Sequence, residues 1–223
     1  MIDDGADIID VGGESTRPGH VQITEEEEIA RVVPVIRKLK EEFDIPVSID
    51  TYKSAVAAAA IEAGADLVND IWGLKYDSKM AGLIAKTGVA CCLMHNRENT
   101  DYQNFLADFM DDMKECVKIA KDAGIADDRI ILDPGVGFGK TYEMNLEIID
   151  KLEIMKELGY PVLLGTSRKS VIGLTLDLPV EEREEGTMVT TVYGVQKGCA
   201  FVRVHDIKEN KRVIQMTEAI LGR

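Results

Sequence analysis

Cysteine is scarce in this chain of 223 residues, and its four copies, Cys91, Cys92, Cys116 and Cys199, have neither zinc-site nor redox spacing. Adjacent Cys91 and Cys92 would point to opposite faces of a strand, so all four are expected to be reduced core thiols, as in a cytoplasmic protein. No apolar run approaches the ~20 residues of a membrane span, and no signal peptide is visible. Positive charge is also short: 26 Lys and Arg stand against 40 Asp and Glu, a net charge of −14. That balance argues against nucleic acid or an anionic membrane as partner, but not against a small anion, which responds to local charge. Much of the acid lies in two runs, Glu25 to Glu28 and Glu181 to Glu185. Both read as solvated helix openings, where carboxylates suit the positive end of the helix.

What the chain does have is a repeated punctuation. Its clearest instance is Ile130-Ile131-Leu132-Asp133-Pro134-Gly135-Val136-Gly137-Phe138-Gly139-Lys140. An Ile and Leu run bounded by turn residues is a strand buried on both faces. It delivers Asp133 at its carboxyl end and then dissolves into glycines, which allow unusual backbone angles and close approach to a ligand. Strands of this kind are expected to start near residues 6, 46, 67, 89, 130, 162 and 201. Helices should alternate with them: Thr24, with Glu27 as a capping-box partner, opens one that runs to Glu42 and is kinked by Pro34. Others are expected over 54–63, 78–86, 102–123, 144–158, 181–197 and 208–221. Strand and helix in alternation mean βα units and a parallel sheet. A polar residue at the end of nearly every strand points to a (β/α)8 TIM barrel, whose site is assembled at one rim. Seven strands are one short of closure. Met1 to Gly5 reads as the tail of a helix, so the first βα unit is the one expected to be missing. At this length a single barrel domain over residues 1–223 is expected.

Several polar residues end these strands. Asp50, Asn69 and Asp133 could converge on a heterocycle with amine, N–H and carbonyl edges. Each alone is equally at home capping a helix or closing a turn. Arg203 and His205 alternate with Val202 and Val204, which puts both on one face of the last strand. Ser167-Arg168-Lys169-Ser170 follows the next-to-last strand, near which barrels often bind anions. Gly-x-Gly-x-Gly-Lys-Thr ending at Thr141 is not a phosphate loop, since the required first glycine falls on Pro134. Nor is it a dinucleotide fingerprint. His20 and His95 read as loop and structural histidines.

Six patterns, in order along the whole chain, resemble the dihydropteroate synthase family. They are Gly12-Gly13-Glu14-Ser15-Thr16-Arg17-Pro18-Gly19, Ser48-Ile49-Asp50-Thr51, Val68-Asn69-Asp70-Ile71, the Asp133 stretch, Ser167-Arg168-Lys169-Ser170 and Arg203-Val204-His205-Asp206. That family is a (β/α)8 barrel joining 6-hydroxymethyl-7,8-dihydropterin diphosphate to p-aminobenzoate with release of diphosphate, and it is the sulfonamide target in folate synthesis. The resemblance implies pterin contacts from Asp50, Asn69, Asp133 and Lys169, with Met94, Ile71 and Phe138 lining the ring pocket. It implies p-aminobenzoate contacts from Thr16, Pro18, Phe138, Lys169 and Ser170, and diphosphate contacts from Arg17, Arg203 and His205. Arg203, His205, Lys169 and Asp133 are the expected catalytic groups, Mg²⁺ the cofactor, and a homodimer the assembly. The family's metal-binding Asn belongs to a first-strand loop that would precede Met1, so no metal ligand is expected within this chain. Two other readings compete. One is a truncated pterin-binding barrel without turnover. The other is the methyltetrahydrofolate-binding barrel of a corrinoid methyltransferase, which has no need of Ser-Thr-Arg-Pro-Gly or Ser-Arg-Lys-Ser.

Overall fold

The computed structural model describes residues 1–15 and 21–223. Thr16, Arg17, Pro18 and His20 lie outside the described residues. The chain divides into two compact bodies, Asp7–His95 with Asp112–Ile131, and Met1–Ala6 with Asn96–Asp111 and Leu132–Arg223.

The first body alternates β1 (Ile9–Gly12), α1 (Glu25–Glu42), β2 (Val47–Asp50), α2 (Ser54–Glu62), β3 (Leu67–Asp70), α3 (Met80–Thr87) and β4 (Ala90–Met94), then takes the second half of α4 (Phe105–Asp122). Its strands pair in parallel, and the register lines up Gly12, Asp50, Asn69 and Cys92 across four of them. Side chains alternate along a strand. One face is therefore apolar except for Asp70 at its edge, with Val11, Val47, Ile49, Val68 and Leu93, while the other carries Asp10, Ser48, Asp50 and Asn69. Thr24 caps α1 as its spacing with Glu27 predicts: its Oγ1 accepts from Glu27 N at 3.2 Å. The helix continues through Pro34.

β5 (Ile130–Asp133) joins β4 in the sheet order β1-β2-β3-β4-β5, and its far end enters the second body. There Leu132 bridges Val162 in parallel, and β6 (Leu163–Leu164) pairs in parallel with β7 (Phe201–Val202). Around these lie α5 (Tyr142–Asp150), α6 (Ser170–Leu176), α7 (Glu184–Lys197) and α8 (Ile207–Leu221).

All seven expected strands are present, and every described pairing is parallel, which makes this an α/β fold. Among the described residues the ladders form one five-stranded and one two-stranded group, without a closing pair. The last strand covers two residues rather than four, so Arg203 and His205 lie beyond it in the loop. Met1 to Gly5 closes as the end of a helix does, although it is too short to form one: Ala6 N to Met1 O at 3.2 Å and Gly5 N to Ile2 O at 2.9 Å are the two bonds of a C-terminal cap, and Gly5 is left-handed at φ 98°. The helix expected over 144–158 begins at Tyr142 and tightens into a 3-10 segment from Leu152 to Leu158.

Candidate active site

In the first body the polar face of the sheet is a layer of hydrogen-bond acceptors. Asp50 at the end of β2 and Asn69, one residue before the end of β3, lie in direct register and are buried. Asn69 Nδ2 donates to Asp10 Oδ2 at 3.4 Å, which draws Asp10 into the group. Sequence reasoning missed Asp10. Its signal was a second acidic residue two places before Gly12, on the same face of β1. Met94 is buried two residues beyond Cys92, and Ile71 is buried in the turn after β3.

Asp70, the neighbour of Asn69, points the other way along the strand and serves its own turn. Its Oδ1 accepts from Trp72 N at 2.8 Å and its Oδ2 from Leu74 N at 2.9 Å. Burial pushes its carboxyl up to about 6, against the pull of those two N–H groups. His95 is structural, as expected: it is buried with Nε2 2.9 Å from Asp112 Oδ2. The cysteines form no disulfide, and burial raises the Cys91 and Cys116 thiols to about 12, far from reactive.

The acidic opening of α1 departs from expectation. Glu28 is buried, not solvated, and its Oε2 accepts from Lys53 Nζ at 2.8 Å. The same ammonium donates to Glu14 Oε2 at 2.7 Å and to Ile23 O at 2.8 Å. Glu14 also accepts from Tyr52 Oη at 2.5 Å and Ile23 N at 2.8 Å. Burial pulls the Lys53 ammonium down, but the two carboxylates outweigh it and its pKa lies above the ordinary value. This cluster ties Glu14 to Ile23, at the two ends of the Ser-Thr-Arg-Pro-Gly segment.

The second body gathers cations around one carboxylate. Asp133 is buried, and its Oδ1 accepts from Gly135 N at 2.7 Å. Burial raises its carboxyl above the usual range, while Lys169, the Gly135 N–H, Lys140 and Arg203 oppose the rise. Lys169 Nζ donates to Val136 O at 2.5 Å and lies 4.9 Å from the centre of the Phe138 ring, a cation–π distance. The glycine-rich turn between them is tightly held. Gly137 N donates to Asn145 Oδ1 at 2.6 Å, and Lys140 Nζ donates to Gly135 O at 2.9 Å and Phe138 O at 3.0 Å. Lys140 thus curls the loop onto itself, consistent with rejecting a phosphate loop. Gly139 needs its missing side chain, since a Cβ there would meet Arg97 O at 2.7 Å.

Gly165 is different, and sequence reasoning passed over it. Its backbone is not left-handed, and a Cβ would meet only ordinary contacts: Asp133 Oδ2 at 3.7 Å, Arg203 Cβ at 3.9 Å and Lys169 Nζ at 4.0 Å. Neither strain nor crowding calls for glycine there. It leaves space beside three of the expected functional groups.

Ser-Arg-Lys-Ser does not act as one basic turn. Lys169 faces the Asp133 group, whereas Arg168 reaches Asp206, with Nε 3.1 Å from Oδ2. Ser170 is exposed at the start of α6, and His205 is exposed with its Nδ1 2.8 Å from Ser167 Oγ. Asp133, Phe138, Lys169 and Arg203 are therefore brought together in the second body, and Asp50 and Asn69 in the first. Thr16, Arg17 and Pro18 fall outside the described residues.

Known proteins show which family the chain belongs to. The model of the pterin binding enzyme family matches residues 1–205. The dihydropteroate synthase of Clostridium beijerinckii is 66% identical over 100% of this chain and 83% of its own length. That of Bacillus subtilis is 55% identical over 100% of this chain and 78% of its own. Among solved structures, the Clostridium difficile dihydropteroate synthase crystallised with pteroic acid superposes with a TM-score of 0.97 at 50% identity, covering 100% of this chain and 85% of that one. The Yersinia pestis enzyme in complex with a sulfonamide drug gives 0.96 at 36% identity, covering 100% and 83%. The chain belongs to the pterin binding enzymes, as a member of their dihydropteroate synthases.

Proposed function

We propose that this chain condenses 6-hydroxymethyl-7,8-dihydropterin diphosphate with p-aminobenzoate. The arylamine nitrogen attacks the exocyclic methylene carbon. The C–N bond forms as the C–O bond breaks, diphosphate leaves with the electron pair, and the amine proton passes to solvent. Asp50, Asn69 and Asp133 accept from the pterin's amine and N–H groups, where a missing partner would leave a costly unpaired group. Lys169 meets the pterin carbonyl, and Phe138, Met94 and Ile71 line the ring. Arg203 and His205, with Arg17, stabilise the departing diphosphate. Thr16, Pro18 and Ser170 hold the aryl acid. An arylamine needs little deprotonation before attack, so orientation and leaving-group stabilisation should carry most of the rate.

The observation that carries this reading is the buried Asp133 with Lys169 and Arg203 beside it, and a glycine at position 165, where a Cβ would touch all three. The fold that goes with it is a single (β/α)8-type barrel domain, supported by the likeness to solved synthases over the whole chain. Mg²⁺ belongs to the proposal through the family. Among the described residues no three His, Cys, Asp or Glu side chains stand together. A homodimer is supported by apolar residues exposed on three helices of one body: Leu174 on α6, Val189 and Tyr193 on α7, and Met216 and Ile220 on α8. Equilibrium sedimentation at monomer mass would overturn the dimer. Cytoplasmic residence rests on the absence of disulfides among these cysteines, and no described helix is long and apolar enough to cross a membrane.

The decisive assay follows diphosphate release from the pterin substrate with and without p-aminobenzoate. Release dependent on the arylamine supports the reading. Tight calorimetric binding of methyltetrahydrofolate, with no such release, would replace it with the methyltransferase-type barrel.

A further inference from the structure

Among the described residues Ser167 Oγ makes two hydrogen bonds, both with one residue. Its Oγ is 3.1 Å from the backbone N of His205 and 2.8 Å from Nδ1 of the same ring. The backbone N–H can only donate, so it occupies one lone pair of the hydroxyl. Two arrangements remain for the shorter contact. The hydroxyl donates to Nδ1, or it accepts a second time from Nδ1–H and its own proton must find another acceptor. Ser167 is buried, and among the described residues His205 is the only side chain its hydroxyl reaches. A buried O–H left without an acceptor is disfavoured by about 5- to 150-fold. The first arrangement therefore wins.

We infer that Ser167 sets the tautomer of His205, holding the neutral ring with Nδ1 as acceptor and the proton on Nε2. Resting on the reading above, in which His205 meets the diphosphate, this makes Nε2–H the donor offered to a phosphoryl oxygen. The opposite tautomer would present a lone pair there and repel the anion. Ser167 touches neither substrate nor leaving group and acts through the ring, so it is a positioning residue.

The surrounding turn explains how so short a contact is kept. Arg168 has a left-handed backbone, φ 57°, a conformation that residues with a side chain rarely adopt. Three bonds hold it there. Its N–H donates to Thr187 Oγ1 at 3.1 Å, its carbonyl accepts from Arg183 Nη1 at 3.0 Å, and its guanidinium takes both oxygens of Asp206. Asp206 is fixed in turn, its carbonyl accepting from Asn210 Nδ2 at 2.8 Å. The Arg168–Asp206 pair lies one residue along from Ser167–His205 in both loops, so the two loops cannot slide past each other. The left-handed residue also turns Ser167 toward His205 and Lys169 toward Asp133.

The chain has three histidines, so the ring can be observed directly. Histidine-labelled enzyme without ligand is examined by long-range proton–nitrogen NMR above the titration range of histidine, with His205→Asn identifying the signal. The Nε2–H pattern is expected, and the Nδ1–H pattern overturns the inference. Ser167→Ala should mix the tautomers and weaken inorganic diphosphate binding by about 3–10-fold, the scale of one hydrogen bond, with the KM for p-aminobenzoate unchanged. Ser167→Thr, which keeps the hydroxyl, should restore both. An equal loss of diphosphate and p-aminobenzoate affinity in Ser167→Ala would mean general damage to the loop and overturn the positioning role. A wild-type enzyme with the Nε2–H pattern but no affinity for diphosphate would uphold the tautomer and sink the anion-binding role of His205.

Discussion

Asp70 and Asp133 make a controlled comparison. Each ends a parallel strand, each is buried, and burial raises the carboxyl of each. What they face differs. Asp70 spends both oxygens on the backbone of its own turn, through Trp72 and Leu74. Asp133 spends Oδ1 on Gly135 and keeps Oδ2 near the space left by Gly165, in the company of Lys169 and Arg203. A strand-end carboxylate is thus no more than a candidate. Its role is decided by whether its acceptors are consumed by the loop that follows or directed beyond it.

The largest effect expected from this rule falls on a third buried charge whose partners are all protein groups. Lys53 serves Glu14, Glu28 and Ile23 O, so by the same logic it is structural. Lys53→Met would leave two buried carboxylates facing each other without a cation. Removing one partner of a buried pair costs about 3–5 kcal/mol, and denaturant unfolding should show a loss of that size. An unchanged midpoint would mean that these groups are hydrated in solution and would break the rule at its hardest case.

Next come the groups aimed beyond their own loops. Asp133→Asn and Arg203→Ala should each lower kcat by roughly 10²–10³-fold, the scale of one transition-state contact, with little change in thermal midpoint. They should also separate by ligand. Asp133→Asn weakens a pterin with or without its diphosphate, whereas Arg203→Ala weakens only the diphosphate ester. Near wild-type turnover in either variant would remove that residue from the proposed chemistry.

How much of this was legible beforehand follows from the same physics. Strand ends were legible because an apolar run closed by a polar residue is a local pattern, and the Thr24 cap because capping spans three residues. The body-scale facts were not. Glu28 looks like any other member of an acidic helix opening, and only the fold reveals that Lys53 reaches it. Ser-Arg-Lys-Ser reads as one basic motif, yet the left-handed backbone of Arg168 sends its neighbours to different partners. The seven-residue α6, Ser-Val-Ile-Gly-Leu-Thr-Leu, has no range among the expected helices, since β-branched residues and a glycine give little helical signal. Gly165 carries no local mark at all, because its meaning lies in the side chains it leaves room for.

The smallest effect isolates Asp70 from Asp133 by pH alone. The carboxyl of Asp70 is at about 6 in the fold against 3.8 for the free side chain, and burial is the cause. Between those values the folded chain keeps a proton that the unfolded chain has released. Stability contributed by this group is therefore present at low pH and lost as pH rises through that window. The gap corresponds to about 3 kcal/mol. An amide at position 70 does not titrate, and it sets a fixed cost by turning one N–H₂ donor toward a backbone N–H. Whatever that fixed cost is, the stability of Asp70→Asn relative to wild type should tilt in favour of the variant by about 3 kcal/mol between the low and high ends of the window. Turnover per folded molecule should not change, in contrast to Asp133→Asn. A flat difference across the window would show that Trp72 and Leu74 hold the ionised carboxylate as well as water does, and burial would then no longer distinguish the two strand ends.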